Sequence, residues 1–214
     1  MPTRSEREGR PDGEPAHVNA LIALAYDTLM APFERRLLAA RRRRILADLR
    51  GDVLELGAGT GANLPWYGAL TRLVLDEPSP DMRVRLRAKL GARPVACPVD
   101  IVETPAESLP FADETFDAVV STLVLCSVKD LVQALREVHR VLKPGGTLRF
   151  IEHVRTNGRY GHLQDLLTPV WRRMAGNCHL NRRTLDTMAA CGFVLGPVSG
   201  DRPFVTGIAT KPSH

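Results

Sequence analysis

Val53-Leu54-Glu55-Leu56-Gly57-Ala58-Gly59-Thr60-Gly61-Ala62-Asn63 is the stretch that decides the fold. Val53, Leu54 and Leu56 make a short apolar strand, three glycines follow at a spacing of two, and a helix-compatible run starts near Ala62. Glycines let the backbone turn sharply and let a ligand approach the peptide units with no Cβ in the way. A helix start just beyond them offers unpaired N–H groups to a polar ligand. Such a loop belongs at the carboxyl edge of the first strand of a doubly wound sheet, where dinucleotides and S-adenosylmethionine are the two cofactor classes that use it.

Around this stretch the chain alternates strand and helix, the pattern of a parallel α/β sheet. Strands are predicted at 52–56, 72–76, 99–103, 116–121, 147–153, 193–198 and 203–210, and helices near 62–68, 80–90, 130–142, 162–174 and 182–191. Only Ser199 to Arg202 joins the last two strands, too short for a crossover helix, so the final strand should run antiparallel. The expected fold is therefore α/β, a doubly wound, Rossmann-like sheet of seven strands, mostly parallel with one antiparallel strand. Upstream, Val18, Leu21, Ile22, Ala25 and Leu29 recur at helical spacing before Pro32, and Phe33, Leu37, Ile45 and Leu49 mark a second helix ended by Gly51. The chain divides into a charged, disordered tail (1–16), a helical lid (17–50) and a domain from 51 to 214 with a cap inserted at 155–181.

Composition excludes several classes. Residues 1–16 are polar and do not resemble a signal peptide, and no apolar run approaches the ~18 residues of a membrane span. Cys97, Cys126, Cys178 and Cys191 are scattered without a CxxC pair, which argues against a metal site and a disulfide framework and for a cytoplasmic location. The charge of +5 comes from 25 Arg and 4 Lys, a bias that a GC-rich coding sequence explains as well as a binding surface does. Arg41 to Arg44 cover more than one helical revolution and cannot form a single stripe. They read as a solvated helix segment, with a patch for nucleic acid or anionic lipid as the alternative. The four-residue step Leu37–Arg41–Ile45–Leu49 puts Arg41 on the apolar face, where it snorkels or meets a buried acid.

The second strand ends at Asp76-Glu77-Pro78-Ser79-Pro80-Asp81-Met82, about 20 residues past the glycine loop, where a carboxylate can accept both hydrogen bonds of a ribose diol. Glu77 is the better candidate, since Asp76 completes the strand. Both cofactor classes carry an adenosine, so this feature does not choose between them. The choice comes from Ala106-Glu107-Ser108-Leu109-Pro110-Phe111, then Phe116-Asp117, then Arg140-Val141-Leu142-Lys143-Pro144-Gly145-Gly146. With the glycine loop and the acidic strand end, this ordered set resembles the class I S-adenosylmethionine-dependent methyltransferases, in particular the small-molecule branch with the ubiquinone/menaquinone C-methyltransferases, over about residues 50–155. The resemblance implies that Gly57, Gly59 and Gly61 pack against the methionine moiety, with Ala58 and Asn63 in the same loop. It also implies that Glu77 binds the ribose, Pro78 and Met82 line the adenine, Ala106 and Glu107 meet its edge, and Thr122 and Leu123 lie beside the sulfonium. A dinucleotide dehydrogenase would need further chain for a substrate domain.

Methylases of nucleobase amines carry Asn/Asp-Pro-Pro-Tyr after the fourth strand. Here Ser121-Thr122-Leu123-Val124-Leu125-Cys126 stands there, which disfavours a nucleic-acid acceptor. Thr122 to Lys129, Glu152-His153-Val154, Pro169-Val170-Trp171 and Cys178-His179-Leu180-Asn181-Arg182 are similar to the methyltransferase-like thiol S-methyltransferases. Animal members of that group carry an N-terminal membrane anchor, whereas this chain starts with a polar tail, which leaves peripheral membrane contact open. A small apolar thiol is the expected acceptor. C- or O-methylation of a quinone-like or phenolic metabolite and a catalytically silent cofactor-binding protein are the alternatives. A thiol near pKa ~8.5 is partly ionised at neutral pH, so a modest base suffices. His153 and His179 are the candidate bases, each equally readable as a structural histidine, and Tyr26 is a candidate on the lid. Cys126 reads as packing, Trp171 as either core or pocket floor, and His139 and His162 as helix surface. Leu163, Leu166, Leu167, Val170, Trp171 and Met174 are expected to face the acceptor in part.

Overall fold

The computed structural model describes residues 38–174, 177–200 and 203–213. Tyr26, the tail 1–16 and the expected helix 17–30 lie outside the described residues. Seven strands form one sheet: β1 (Asp52–Leu56), β2 (Arg72–Asp76), β3 (Val99–Val102), β4 (Phe116–Thr122), β5 (Leu142–His153), β6 (Val194–Leu195) and β7 (Phe204–Thr210), in the order β3-β2-β1-β4-β5-β7-β6. Pairs β1–β2, β1–β4, β2–β3 and β4–β5 are parallel, and β7 runs antiparallel to both β5 and β6. The expected fold is thus borne out, including the reversed last strand.

Alternation along the strands feeds two cores, the signature of a sheet covered on both faces. Val53, Leu73, Leu75, Ala118, Val120 and Ile151 pack with Leu38, Ile45, Leu46 and Leu86 on one side. On the other, Leu54, Val74, Val119, Leu148 and Phe150 meet Ala134, Leu135, Val138 and Met188. The first side is covered by α1 (Ala39–Leu46) and α2 (Pro80–Ala92), the second by α3 (Leu131–Val141) and α5 (Thr184–Ala190). Helix starts are written locally: Ser79 accepts from Met82 N ahead of Pro80, and Asp130 accepts from Gln133 N at 3.0 Å. The remaining helix, α4 (Gly158–Met174), lies within 155–181, between β5 and α5. Among the described residues no helix is long and apolar enough to cross a membrane.

Several elements differ from the sequence reading. The helix expected at 62–68 is only a 3-10 turn, Leu64–Trp66. Pro65 has no N–H to give, and in an α-helix its ring would press on the Gly61 carbonyl. The helix expected up to Gly51 ends at Leu46, where Leu49 N turns back to Leu46 O. The strand expected at 193–198 shrinks to two residues because Pro197 cannot donate to the ladder. His139 is not free surface: its ring packs edge-on against Phe193, with centroids 5.2 Å apart. Arg41 donates to the Phe204 carbonyl at 3.0 Å, and its neighbour Arg42, 5% exposed, is the buried member of the arginine run.

Sequence order leaves β1 and β4 as neighbours whose chains depart to opposite sides of the sheet. The crevice beyond their carboxyl ends is the topological switch point, where ligands of open α/β sheets bind.

Candidate functional site

One rim of that crevice comes from β1 and β2. Ala58 N donates to Asp76 O at 2.8 Å and Glu77 N to Val102 O at 3.1 Å, which fixes the glycine loop to the end of β2. Glu77 Oε2 accepts from Gly59 N at 2.7 Å and Oε1 from Ser79 N at 2.8 Å. Each carboxylate oxygen keeps a lone pair for another donor. Asp76 instead turns to Thr104, accepting from its N at 3.0 Å and its Oγ1 at 3.2 Å. Burial pushes both acids up, Asp76 to about 7, and Arg83 pulls each of them back.

Two glycines have distinct reasons. A Cβ on Gly57, at φ 55, would sit 2.6 Å from Val124 Cγ2, so this residue lets the loop touch the segment after β4. At Gly59, φ 58, a Cβ would meet nothing nearer than the Gly57 carbonyl at 4.0 Å, so that peptide faces open space. A peptide open on one side beside a carboxylate suits a ligand with a diol, which is the chemistry a sulfonium nucleoside presents. Met82 is buried nearby and Pro78 is exposed, while Ala106 is buried. Glu107 Oε1 accepts from Lys129 N at 2.7 Å and Asp130 N at 3.1 Å, so it also holds the start of α3.

Asn63 sits deeper than a ligand-facing residue, 1% exposed. Its Nδ2 donates to Glu55 Oε1 at 2.8 Å and Thr122 Oγ1 at 3.2 Å, and its Oδ1 accepts from Arg42. Tyr67 Oη completes the set with a 2.6 Å bond to Glu55 Oε2. Burial pushes the Glu55 carboxyl up to about 7 against the pull of Tyr67, Asn63 and Arg42. This network beneath the loop was not anticipated. Its signal was Glu55, an acid inside an apolar strand.

The other rim comes from β4 and β5. Leu123 follows β4 at φ 59, a left-handed conformation that costs a non-glycine residue about 1–3 kcal/mol. Leu123 N donates to Ile151 O at 2.8 Å. Glu152, fully buried, accepts from Ser121 Oγ at 2.7 Å and from Val124 N and Leu125 N at 3.2 Å each. Its Oε2 has no hydrogen-bond partner among the described residues, and burial pushes the carboxyl up to about 7. His153, the next residue, packs edge-on against Phe204 with centroids 5.3 Å apart. Its Nδ1 is buried without a partner among the described residues, and burial holds its pKa down.

Over this rim lies the segment 177–182. Asn177 Nδ2 donates to Ser127 O at 2.9 Å, His179 N to Cys126 O at 2.8 Å, and Arg182 to the Leu125 and Val128 carbonyls. His179 Nδ1 lies 3.3 Å from the Cys126 carbonyl. A carbonyl can only accept, so Nδ1 carries the proton and Nε2 keeps its lone pair. Burial, then Arg182 and Arg172, hold His179 below its usual pKa and therefore neutral at pH 7.

Helix α4 is turned out. Gly161, Gln164 and Thr168 face the body, and Gln164 binds Thr156 N at 2.7 Å, Val154 O at 3.2 Å and Leu180 O at 2.9 Å. Tyr160, Leu163, Leu166, Leu167, Val170 and Trp171 are exposed, Leu166 to 74%. Trp171 does not fill core, being exposed on the helix. His162 is exposed, as expected, and the side chain of Met174 lies outside the described residues. A separate cavity of about 420 Å³, lined by Arg87, Leu90, Val95 and Cys97 among others, opens at the β3 edge, away from these groups.

Residues 54–150 match the family described as methyltransferase domain. The human thiol S-methyltransferase TMT1A is 31% identical over 194 residues, 81% of this chain and 80% of the relative. The rat thiol S-methyltransferase TMT1B is 37% identical over 156 residues, and the alignment spans 69% of this chain and 64% of that protein. A ubiquinone/menaquinone biosynthesis C-methyltransferase, UbiE of Klebsiella pneumoniae, is 36% identical over 149 residues, 64% of this chain and 58% of its own length. Among solved structures, a chain from the complex between the Haloferax volcanii Trm112 methyltransferase activator and the putative methyltransferase superposes with a TM-score of 0.70. It is 17% identical, and the match covers 90% of this chain and 97% of that one, a likeness of fold.

Proposed function

Because the chain belongs to the S-adenosylmethionine-dependent methyltransferases, we propose that it methylates a small molecule, a small apolar thiol, on sulfur. When bound, the cofactor supplies a methyl group already activated on a sulfonium. The protein's part is to align the acceptor, exclude water and take one proton. In this reading Gly57 to Gly61 and Glu77 hold the donor, with Pro78, Met82, Ala106 and Glu107 around its base and Thr122 and Leu123 near the reacting end. Residues 51–214 act as the catalytic domain and 155–181 as its cap.

The observation that carries the thiol is the chemistry of the cap. His179 presents a neutral Nε2 lone pair, and the Arg182 guanidinium lies half-buried beside it. A thiol needs no stronger base than a neutral imidazole, and the positive field favours its thiolate. His179 is the better placed of the two histidines, since His153 faces Phe204. The free thiols fit a reducing cytoplasmic setting.

The test is a panel of an alkyl thiol, a phenol and a demethylated quinone with labelled S-adenosylmethionine. Label on the thiol is expected. Label on the phenol or quinone alone would give the function to the alternative that the C-methyltransferase likeness favours, and donor binding without turnover would make the protein a silent binder. His179→Ala should lower kcat for the thiol by about tenfold to a hundredfold while donor affinity holds. His153→Ala should change kcat less.

A further inference from the structure

Cys126 and Cys178 are 52 positions apart in sequence, yet their sulfurs lie 3.6 Å from each other. Both are free thiols, Cys126 buried and Cys178 half-buried. They sit where the cap meets the segment after β4, beside the 2.8 Å bond from His179 N to Cys126 O. That bond keeps the two backbones in register, so side-chain movement has only about 1.5 Å to close before the sulfurs reach bonding length. Direct methyl transfer uses neither sulfur. Cys97 and Cys191, by contrast, have no second sulfur within reach among the described residues.

We propose that Cys126 and Cys178 form a thiol–disulfide exchange site, at which a small-molecule disulfide converts the pair into a covalent strap between cap and body. Cys178 attacks first. It is the more exposed sulfur, and its contact with Cys126 holds its pKa down to about 7, whereas the same contact and burial push the Cys126 thiol well up. The Cys178 sulfur bonds to one sulfur of the disulfide and expels the other half as a thiolate. Cys126 then attacks the Cys178 sulfur, its proton leaving with the second small thiol. In sum, two protein thiols are oxidised and one small disulfide is reduced to two thiols.

The consequence lies in the cap. In the reduced protein, reversible contacts hold 177–182 to 125–128, among them the hydrogen bonds from Asn177, His179 and Arg182. A cross-link at the centre of that contact makes it permanent. The proposal stands whichever acceptor the enzyme uses.

Oxidised glutathione, added to the full chain, is the probe. Digestion without reduction should yield the Cys126–Cys178 linked peptide while Cys97 and Cys191 stay open to alkylation. Cys126→Ser should stop at glutathione carried on Cys178, and Cys178→Ser should leave Cys126 unmodified. Both variants should bind S-adenosylmethionine as wild type does, which reports that they fold. In the oxidised wild type, hydrogen exchange at the His179 amide should slow by about tenfold or more, reversed by dithiothreitol. Glutathione persisting on Cys178 of the wild type, first reaction at Cys97 or Cys191, or no reaction at any thiol would each overturn the proposal.

Discussion

The two rims of the crevice are built in opposite ways. The rim at β1 and β2 draws on two short stretches, 57–63 and 76–82, joined by backbone bonds such as Ala58 N to Asp76 O and by Glu77 reaching back to Gly59 N. The rim at β4 and β5 gathers 121–128, Glu152 and 177–182, and its central contacts are side chains on carbonyls: Arg182 on Leu125 and Val128, Asn177 on Ser127. On the proposed function, the rim joined by backbone bonds is a fixed cradle for the donor, and the rim assembled from distant segments is one that can diverge with the acceptor without disturbing the sheet.

The sharpest way to break this division is at its seam. Gly57→Ala brings a Cβ to 2.6 Å from Val124 at φ 55 and should damage both rims. The expected loss is about 3 kcal/mol of stability by urea unfolding, with weaker donor binding. Next comes Glu152, which organises the rim at β4 and β5. Its folded pKa of about 7 lies above the ordinary 4.5. The stability it contributes is therefore complete below about 4.5 and is lost as pH rises through about 7. Glu152→Gln should remove that part of the slope, so that the variant gains on wild type by about 2 kcal/mol between pH 5 and pH 8 in paired unfolding curves. An unchanged slope would mean the carboxylate is solvated. Glu77→Ala confines the damage to the rim at β1 and β2: S-adenosylmethionine binding should weaken by about 2 kcal/mol in calorimetry, with about 1 kcal/mol of stability lost because Gly59 N and Ser79 N lose their acceptor. Smallest is Leu166→Gln on the outward face of α4, which should shift stability by no more than about 0.5 kcal/mol. A large loss there would show that the face is covered by protein.

The same division explains what the sequence revealed. The sheet, its reversed β7 and the glycine loop were readable because alternation, turn residues and a local motif specify them within a few positions. Glu77 could be preferred to Asp76 because only one of two adjacent acids can complete the strand. Glu55 and Glu152 were overlooked, though an acid within an apolar run such as Phe150-Ile151-Glu152 asks for buried donors. The four-residue step that puts Arg41 on the apolar face does not show that its neighbour Arg42 is the more buried of the two. The outward turn of α4 was unreadable for a related reason: its periodicity marks an apolar face but not the Gln164 contacts that point the other face inward. Cys178 beside Cys126 needed the third dimension altogether.

The position of β7 between β5 and β6 bears on biosynthesis. During translation β5 emerges early, but its second neighbour is Phe204–Thr210, so the edge of β5 stays open until that late segment has left the ribosome. Nascent chains interrupted before it would display a long unpaired ladder, an invitation to aggregation that chaperones must shield.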